Sequence, residues 1–165
     1  MPVTLTAAFR AFVDDPGPST YLAARALVLS GPSYTKDPTA LATAADLLDQ
    51  GENKGVIDAI DADLPNLLLS PAAHAMLAIA HKNLGDLESA DFERDVYASL
   101  IELGILASGD GTEASPYRVV HPSDIDDAIG ILGVAVNRQQ VVRGEDTRLE
   151  CIDLADGRAL WFDAP

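Results

Sequence analysis

Prolines and glycines divide the first half of the chain into short segments, and this punctuation restricts the fold to brief helices joined by tight turns. The breaks fall at Pro16-Gly17-Pro18, Gly31-Pro32, Pro38, Gly51, Pro65, Pro71 and Gly85. Proline cannot continue a helix and glycine commonly ends one, so each segment between two breaks is a separate element. Apolar side chains recur within the segments at helical spacing. They predict helices over residues 4–13, 40–48, 56–64, 72–84 and 87–103.

Another helix is predicted after the first break and ends at Leu29. Ser19 or Thr20 is its expected N-cap, because either side chain can accept a hydrogen bond from a free N–H group of the first turn. Helical spacing places Leu22 and Ala26 on the same face as Leu29, and this face is expected to point inward.

The predicted helices recur with a period of 34 residues, the distance between Gly51 and Gly85. At the same offset Ala44 matches Ala78, and small side chains at these positions would let helices approach closely. A 34-residue unit of two helices resembles the tetratricopeptide repeat. The resemblance implies that each glycine forms the turn inside a helical hairpin. Two such units leave apolar edges that another part of the chain has to cover.

The pattern changes after Ala107. Ser108-Gly109-Asp110-Gly111 predicts a turn-rich joint, residues 117–120 predict a strand, and Ser123 is the expected cap of one further helix. Three more strands are predicted over residues 134–142, 147–154 and 159–162, with turns at Gly144-Glu145-Asp146 and Asp156-Gly157. Asp-Gly is typical of a type I′ turn, in which both central residues have positive φ.

These elements predict an α+β fold. Tetratricopeptide-like helical hairpins in residues 1–107 are expected to pack against a small C-terminal antiparallel sheet with one helix in residues 108–165. We expect the two regions to form one cooperative domain, in which the sheet covers the open apolar face of the last hairpin.

Charge and cysteine content exclude several classes of partner and site. The chain has 26 acidic and 11 basic residues and a formal net charge of −15. Nucleic acid and anionic membranes both attract positive charge, so neither is an expected partner. One cysteine cannot support a disulfide framework or a cysteine-rich zinc site, and no metal or other cofactor is expected. The first thirty residues resemble no signal peptide and no apolar run could span a bilayer, so we expect a cytoplasmic location.

Several short motifs resemble a bacterial domain family of unknown function, which has tetratricopeptide-like helices followed by a compact β tail. The resemblance covers nearly the whole chain and implies the same α+β fold, but no activity. It is carried by Tyr21-Leu22 with Arg25, Ser30 with Tyr34, Leu84-Gly85-Asp86, Leu106-Ala107-Ser108-Gly109-Asp110-Gly111, Tyr117-Arg118-Val119-Val120 and Trp161-Phe162-Asp163.

Arg25 is a charge in the middle of an apolar helix, where it is costly unless paired. The favoured interpretation is structural: Arg25 clamps a carboxylate or carbonyl groups of the 108–111 joint, with Asp110 as the expected partner. The alternative is an anion-binding arginine in a pocket with Tyr21 and Tyr34.

The histidines and the cysteine have ordinary structural interpretations. His74 and His81 share a helical face, but a seven-residue separation is a weak ligand spacing, and core or interface positions are favoured. His121 could act as a base, yet spacing assigns no nucleophile to it. Cys151 is expected to be a packing residue inside a strand.

Acidic residues avoid residues 64–85 and concentrate on the segments before and after them. Residues 86–102 contain six acids and one arginine. Helical spacing places four of them on one stripe, which predicts either a solvated face or a docking surface for a basic partner. The predicted partner-binding residues are Glu88, Asp91, Asp95 and Glu102 on this stripe and Asp58 and Asp61 on an earlier helix.

Two functions remain open at this point. The first is a non-catalytic interaction module whose acidic helical surface binds a basic protein, for example as an immunity protein that neutralises a toxin. The second is a ligand-binding protein or hydrolase-like enzyme with a pocket at the helix–sheet junction, built from Tyr21, Arg25, Tyr34 and Asp110. The first is favoured, because no constellation of nucleophile, base and oxyanion donor can be assembled.

Overall fold

The computed structural model describes residues 4–143 and 148–165, and their architecture confirms the α+β class. A helical region comes first and a four-stranded sheet ends the chain. A π-helical turn, Leu100–Ile105, continues the seventh helix. The helices are α1 (Leu5–Asp14), α2 (Pro18–Leu29), α3 (Thr39–Asp49), α4 (Asn53–Asp61), α5 (Leu64–Leu67), α6 (Pro71–Asn83), α7 (Leu87–Ser99) and α8 (Asp124–Leu132), and the strands are β1 (Tyr117–Arg118), β2 (Val136–Arg143), β3 (Arg148–Leu154) and β4 (Ala159–Asp163).

The predicted N-cap of α2 is wrong, whereas that of α8 has the predicted position without the expected hydrogen bond. Gly17 precedes α2 without a side-chain cap, and Pro18 occupies the first turn, where its missing N–H costs nothing. The Thr20 hydroxyl instead donates back to the carbonyls of the preceding turn. At α8, Ser123 occupies the N-cap position as predicted, but its side chain makes no capping hydrogen bond. The buried carboxylate of Asp124 accepts hydrogen bonds from the N–H groups of Val120 and His121, which fastens the start of the helix to the segment after β1.

Gly51 and Gly85 end α3 and α6 as predicted, with φ of 76° and 83°. Around Gly85, the N–H of Asp86 donates to the carbonyl of His81 and the N–H of Gly85 donates to Lys82; the same two bonds recur around Gly51. This pair of bonds is the Schellman motif, which needs a left-handed residue and therefore favours glycine. The α3–α4 and α6–α7 hairpins follow from it, while their tetratricopeptide character stays a prediction.

The sheet has the order β1-β4-β3-β2 and is mixed, so the purely antiparallel prediction is wrong. The three long strands pair antiparallel, but β1 pairs in parallel with β4, with Tyr117 opposite Phe162. The predicted turn at Gly144-Glu145-Asp146 lies outside the described residues. The other turn is not type I′, because Gly157 alone has positive φ there. Gly157 donates to the Leu154 carbonyl, which gives a type I turn followed by a glycine bulge.

The main hydrophobic core joins the helices to the sheet. It contains Phe12 of α1, Tyr21 of α2, Leu100 of the π-helical turn, Ile125 of α8 and Phe162 of β4, all fully enclosed. This core therefore includes side chains from both predicted regions, 1–107 and 108–165. A second, smaller core lies among α3, α4, α5 and α6. We infer that the sheet covers the helical region by sharing a core with it.

The inward face of α2 differs from the predicted one. Tyr21, Ala24 and Val28 are buried, whereas Leu22 is partly buried and Ala26 is exposed. The apolar side chains of α2 are distributed around most of its circumference, so the hydrophobic pattern does not predict which face is buried. The register that buries Tyr21 also turns Arg25 toward the sheet.

Asp127 on α8 is expected to make stability depend on pH. Burial, together with the negative charges of Asp124 and Asp126, raises the pKa of Asp127 from 3.8 to about 6. A hydrogen bond from the Ala72 backbone lowers this pKa by a smaller amount. Tyr97 of α7 also interacts with the Asp127 carboxyl group. The folded state therefore holds this proton more tightly than the unfolded chain. The resulting stabilisation is complete only below the unfolded pKa of 3.8, declines as the pH rises above that value, and is lost once the pH has passed about 6.

The Asp127→Asn variant tests this dependence by its melting temperature at about pH 4.5 and about pH 7.5. We expect the variant to gain on the parent chain at the higher pH, because a neutral amide does not have to be desolvated as an anion. Asp46→Asn, at an exposed position of α3, is the control. A difference between Asp127→Asn and the parent that does not change with pH would contradict the prediction.

Candidate functional site

Three side chains from the helical region hold residues 118–120, which are the last residue of β1 and the two residues after it. The hydroxyl of Tyr21 donates to the carbonyl of Arg118 at 2.9 Å, and that of Tyr34 donates to the carbonyl of Val120 at 3.0 Å. Between them, Nε of Arg25 donates to the carbonyl of Val119 at 2.8 Å. Burial raises the pKa of the Tyr21 hydroxyl, which keeps it protonated as a donor. Three successive carbonyls are thus bound by side chains.

The partner of Arg25 is Asp163 of β4, and the predicted partner Asp110 is wrong. Nη2 of Arg25 lies 3.4 Å from Oδ2 of Asp163 and 3.3 Å from its carbonyl oxygen. The structural role predicted for Arg25 agrees with these contacts, because the guanidinium links α2 to both β4 and the end of β1. Asp110 is exposed and accepts hydrogen bonds from the N–H and hydroxyl of Thr112, and these bonds lower its pKa.

The 108–111 joint is held by Arg118, a residue that the sequence analysis did not select. The Ser108 hydroxyl accepts from the N–H of Arg118 at 2.8 Å and donates to the carbonyl of Ile105. The Arg118 guanidinium returns a hydrogen bond to the Ser108 carbonyl. An arginine in a strand otherwise made of Tyr117, Val119 and Val120 was the available signal, since an interior charge needs partners.

The ligand pocket predicted from Tyr21, Arg25, Tyr34 and Asp110 is not formed. The first three side chains do converge, but on backbone carbonyls of residues 118–120, and Asp110 lies in the joint instead. A different hollow lies beside this packed junction. It has a volume of about 610 Å³ and Arg25 is one of its lining residues.

The predicted acidic stripe lies on the outer face of α7. Glu88, Asp91 and Asp95 are all exposed. Glu102 is exposed as well, but it belongs to the π-helical turn. A π-helical turn interrupts the 3.6-residue periodicity, so the spacing that placed Glu102 on the same stripe does not extend to it.

The other charged side chains of α7 divide between its two sides. Arg94 pairs with Asp91 at 2.7 Å and with Asp95 at 3.2 Å, and all three side chains are well exposed. Such surface pairs are weak and exchange readily with another cation. Glu93 faces the protein, where its carboxylate contacts Nδ1 of the buried His74. Glu93 is therefore an acid of α7 that takes no part in the outer surface.

Large apolar side chains are exposed among the acids of α7. Leu87 is 62% exposed and Phe92 is 46% exposed. Phe92 and Asp95 border a hollow of about 230 Å³ between α1 and α7, which Phe12 and Val96 also line. We call Glu88, Asp91, Asp95, Leu87 and Phe92 the α7 surface. The α7 surface therefore combines exposed negative charge with exposed apolar area.

Asp58 and Asp61 are exposed on α4, a different helix. α4 packs against α6, which also packs against α7. The six predicted partner-binding residues therefore fall on two separate elements and the π-helical turn, and only the three on α7 share one helix.

The histidines are engaged with oxygen atoms of the protein. His74 contacts Glu93 through Nδ1 and the Leu68 carbonyl through Nε2, and it is 3% exposed, so the core interpretation is confirmed. His81 lies 3.3 Å from Asp86. His121 is fully buried beside Asp124, with Nε2 3.2 Å from the Asn66 amide oxygen. Over residues 4–143 and 148–165, no group of three or more His, Cys, Asp or Glu side chains is arranged to hold a metal ion.

Cys151 is buried in β3, where burial raises the pKa of its thiol. A thiol with a raised pKa is a weak nucleophile at neutral pH, because only the thiolate reacts. The predicted packing role of Cys151 agrees with this position.

Comparisons with protein-family models, curated proteins and solved structures find no match to this chain. The family resemblance drawn from the short motifs therefore stays a prediction. Within the described part of the chain, none of the helices has the length and apolar character needed to cross a membrane.

Proposed function

We propose that this protein is a non-catalytic interaction module that binds a basic protein partner through the α7 surface. The observation that carries the proposal is the exposure of Glu88, Asp91 and Asp95 on one helix together with Leu87 and Phe92. The carboxylates attract a cationic partner over distance, and the apolar side chains supply contact area once it has docked. Neutralisation of a basic toxin by an immunity protein is one form of such binding that the small size and acidity suit.

The overall charge supports the same proposal. A net charge of −15 raises the encounter rate with any cationic protein, and the field is strongest where carboxylates are exposed together. The contacts of the histidines and the cysteine give no support to a catalytic role, since each is buried or engaged with protein oxygens. A cytoplasmic location is part of the proposal.

A pair of variants with equal charge tests where the partner docks. Asp91→Asn with Asp95→Asn removes two charges from the α7 surface, and Asp14→Asn with Asp15→Asn removes two exposed charges at the end of α1. For the partner retained by the immobilised protein at low salt, we expect the first pair to lower the association rate constant about tenfold and the second about twofold. Rate constants are measured at two salt concentrations.

Two results would count against the proposal. Equal losses in both double variants would mean that net charge, not the α7 surface, attracts the partner. Retention that is independent of salt would mean that electrostatic attraction contributes nothing. Circular dichroism of each variant checks that the fold is kept, which is expected because all four side chains are exposed.

A further inference from the structure

The hollow at the helix–sheet junction collects positive charge in an acidic protein. It lies between α2, β1, β3 and the end of β4, and the side chains of Arg25, Arg118 and Arg148 line it. These are three of the eight arginines of a chain whose net charge is −15. Glu113 and Asp163 are the carboxylates among its lining residues, so the lining side chains carry a net positive charge.

Arginines brought together in this way repel one another unless anions lie between them. Arg25 has Asp163 as its carboxylate partner, and Arg148 has Glu150, at 3.1 Å. The guanidinium of Arg118 donates instead to the neutral backbone carbonyl of Ser108. In the described residues, the positive charge of Arg118 is therefore held by a carbonyl dipole and not by a carboxylate within ion-pair distance.

Several guanidinium donors at the hollow have no protein acceptor among residues 4–143 and 148–165. Arg25 uses Nε and Nη2, and Arg118 uses Nη1. Arg148 uses Nη1 on the Pro165 carbonyl and Nη2 on Glu150, while its Nε is enclosed without an acceptor. Nη1 of Arg25 and Nε and Nη2 of Arg118 are thus left to bind something else. These three donors are not enclosed, so each is open to water or to an oxygen atom of a ligand in the hollow.

We propose that this hollow is a binding site for the oxyanion group of a small molecule, either a phosphate or a carboxylate. A guanidinium presents paired N–H donors that match two oxygens of such a group. A volume of about 610 Å³ suits a small molecule and not a macromolecular surface. The three arginines are positioned by contacts to Val119, Ser108 and Glu150, so little ordering is needed when the anion arrives. The site is separate from the α7 surface and does not depend on the proposed function.

The direct test is a titration of the full chain with inorganic phosphate and, separately, with succinate, followed by NMR of the arginine Nε–H signals. We expect the signals of Arg118 and Arg148 to shift and to saturate with a Kd of about 1 mM or tighter for at least one probe. Saturation by phosphate alone assigns a phosphate ester as the ligand class, and saturation by succinate alone assigns an organic acid. The absence of saturating shifts with both probes overturns the proposal.

Variants locate the binding. Glu113→Gln removes a carboxylate from the hollow at an exposed position, and we expect it to tighten binding of the saturating probe severalfold. Arg118→Gln should weaken binding about tenfold, the loss expected for one charge-assisted hydrogen bond. Arg94→Gln, which changes an exposed arginine of α7, is the control and should change the affinity less than twofold.

Equal effects of Arg94→Gln and Arg118→Gln, or no effect of Glu113→Gln, would mean that the anions only screen surface charge and would overturn the proposal. Because Arg118 also holds the joint, Glu113→Gln keeps the test valid if Arg118→Gln unfolds.

Discussion

The Arg25→Ala variant is expected to lose about 3 kcal/mol of the free energy of unfolding. The side chain of Arg25 is 12% exposed, and removing it leaves the buried Val119 carbonyl without its donor. It also breaks the link from α2 to β4, although Asp163 is 37% exposed and regains water, so the ion pair itself contributes only a small part. The melting temperature should fall by about 10 °C.

Thermal and urea unfolding measure this loss, and two further variants interpret it. Arg10→Ala removes an exposed arginine of α1 and should change the free energy by less than about 0.5 kcal/mol. Arg25→Lys keeps the charge but cannot supply the planar set of donors, so its stability should lie between those of Arg25→Ala and the parent. A melting temperature of Arg25→Ala within about 1 °C of the parent would show that the clamp is unimportant.

The Gly109→Ala variant is expected to lose more than about 3 kcal/mol, or to fail to fold, because the added carbon has no room. A Cβ at this position would lie 2.3 Å from the carbonyl oxygen of Pro116 and 2.6 Å from that of Ser115. Both obstacles are backbone atoms, which no side-chain rotation can move. The joint would have to open, and the hydrogen bonds from Asp110 and Gly111 to the Ser115 carbonyl would be strained.

Gly130→Ala is the matched control, because it makes the same chemical change in open space. Gly130 is exposed within α8, and a Cβ there has no neighbour within 4 Å. Alanine is the better helix former, so this variant should gain about 0.5–1 kcal/mol. The urea midpoint of each variant gives the comparison. Comparable stability of the two variants would contradict the steric explanation for glycine at position 109.

The order of the elements was predictable because their signals are local. Proline marks several helix ends, and Gly51 and Gly85 mark two others. Both glycines have a positive φ, a conformation that other residues rarely adopt. The strands predicted over residues 134–142 and 147–154 correspond to β2 and β3 because their composition favours β structure. The ends were less predictable: the helix predicted over residues 56–64 runs from Asn53 to Asp61, and Leu64–Leu67 forms a separate short helix. Caps such as Gly17 depend on the neighbouring segment.

The faces of the helices were less predictable. α2 is apolar around most of its circumference, so its sequence is compatible with several inward faces. Packing against the π-helical turn decided the choice: a Cβ at Gly104 would come within 2.8 Å of the Tyr21 ring, which shows how closely the two elements approach. α7 does not separate its residues cleanly either, because Leu87 and Phe92 are exposed among its acids while Glu93 faces the protein.

The partners at the candidate sites depend on long-range geometry. The apolar neighbours of Arg25 predict that its side chain needs a hydrogen-bond acceptor. They do not predict which residue supplies it, because Asp163 is 138 residues further along the chain. The parallel pairing of β1 with β4 decides that Asp163 and Val119 lie side by side, and a two-residue strand contains no signal for its partner. The collection of Arg25, Arg118 and Arg148 around one hollow follows from the same pairing.

By itself, the sequence determined the order and approximate extent of most helices and strands, that Gly51 and Gly85 form turns, and that the chain is strongly acidic, since each of these depends on neighbouring residues or on composition alone. The tertiary structure alone decided which face of α2 is buried, which oxygens the interior arginines bind, and that these arginines border a hollow. Such choices depend on contacts between distant segments, whose relative positions are set only when the shared core of helices and sheet has formed.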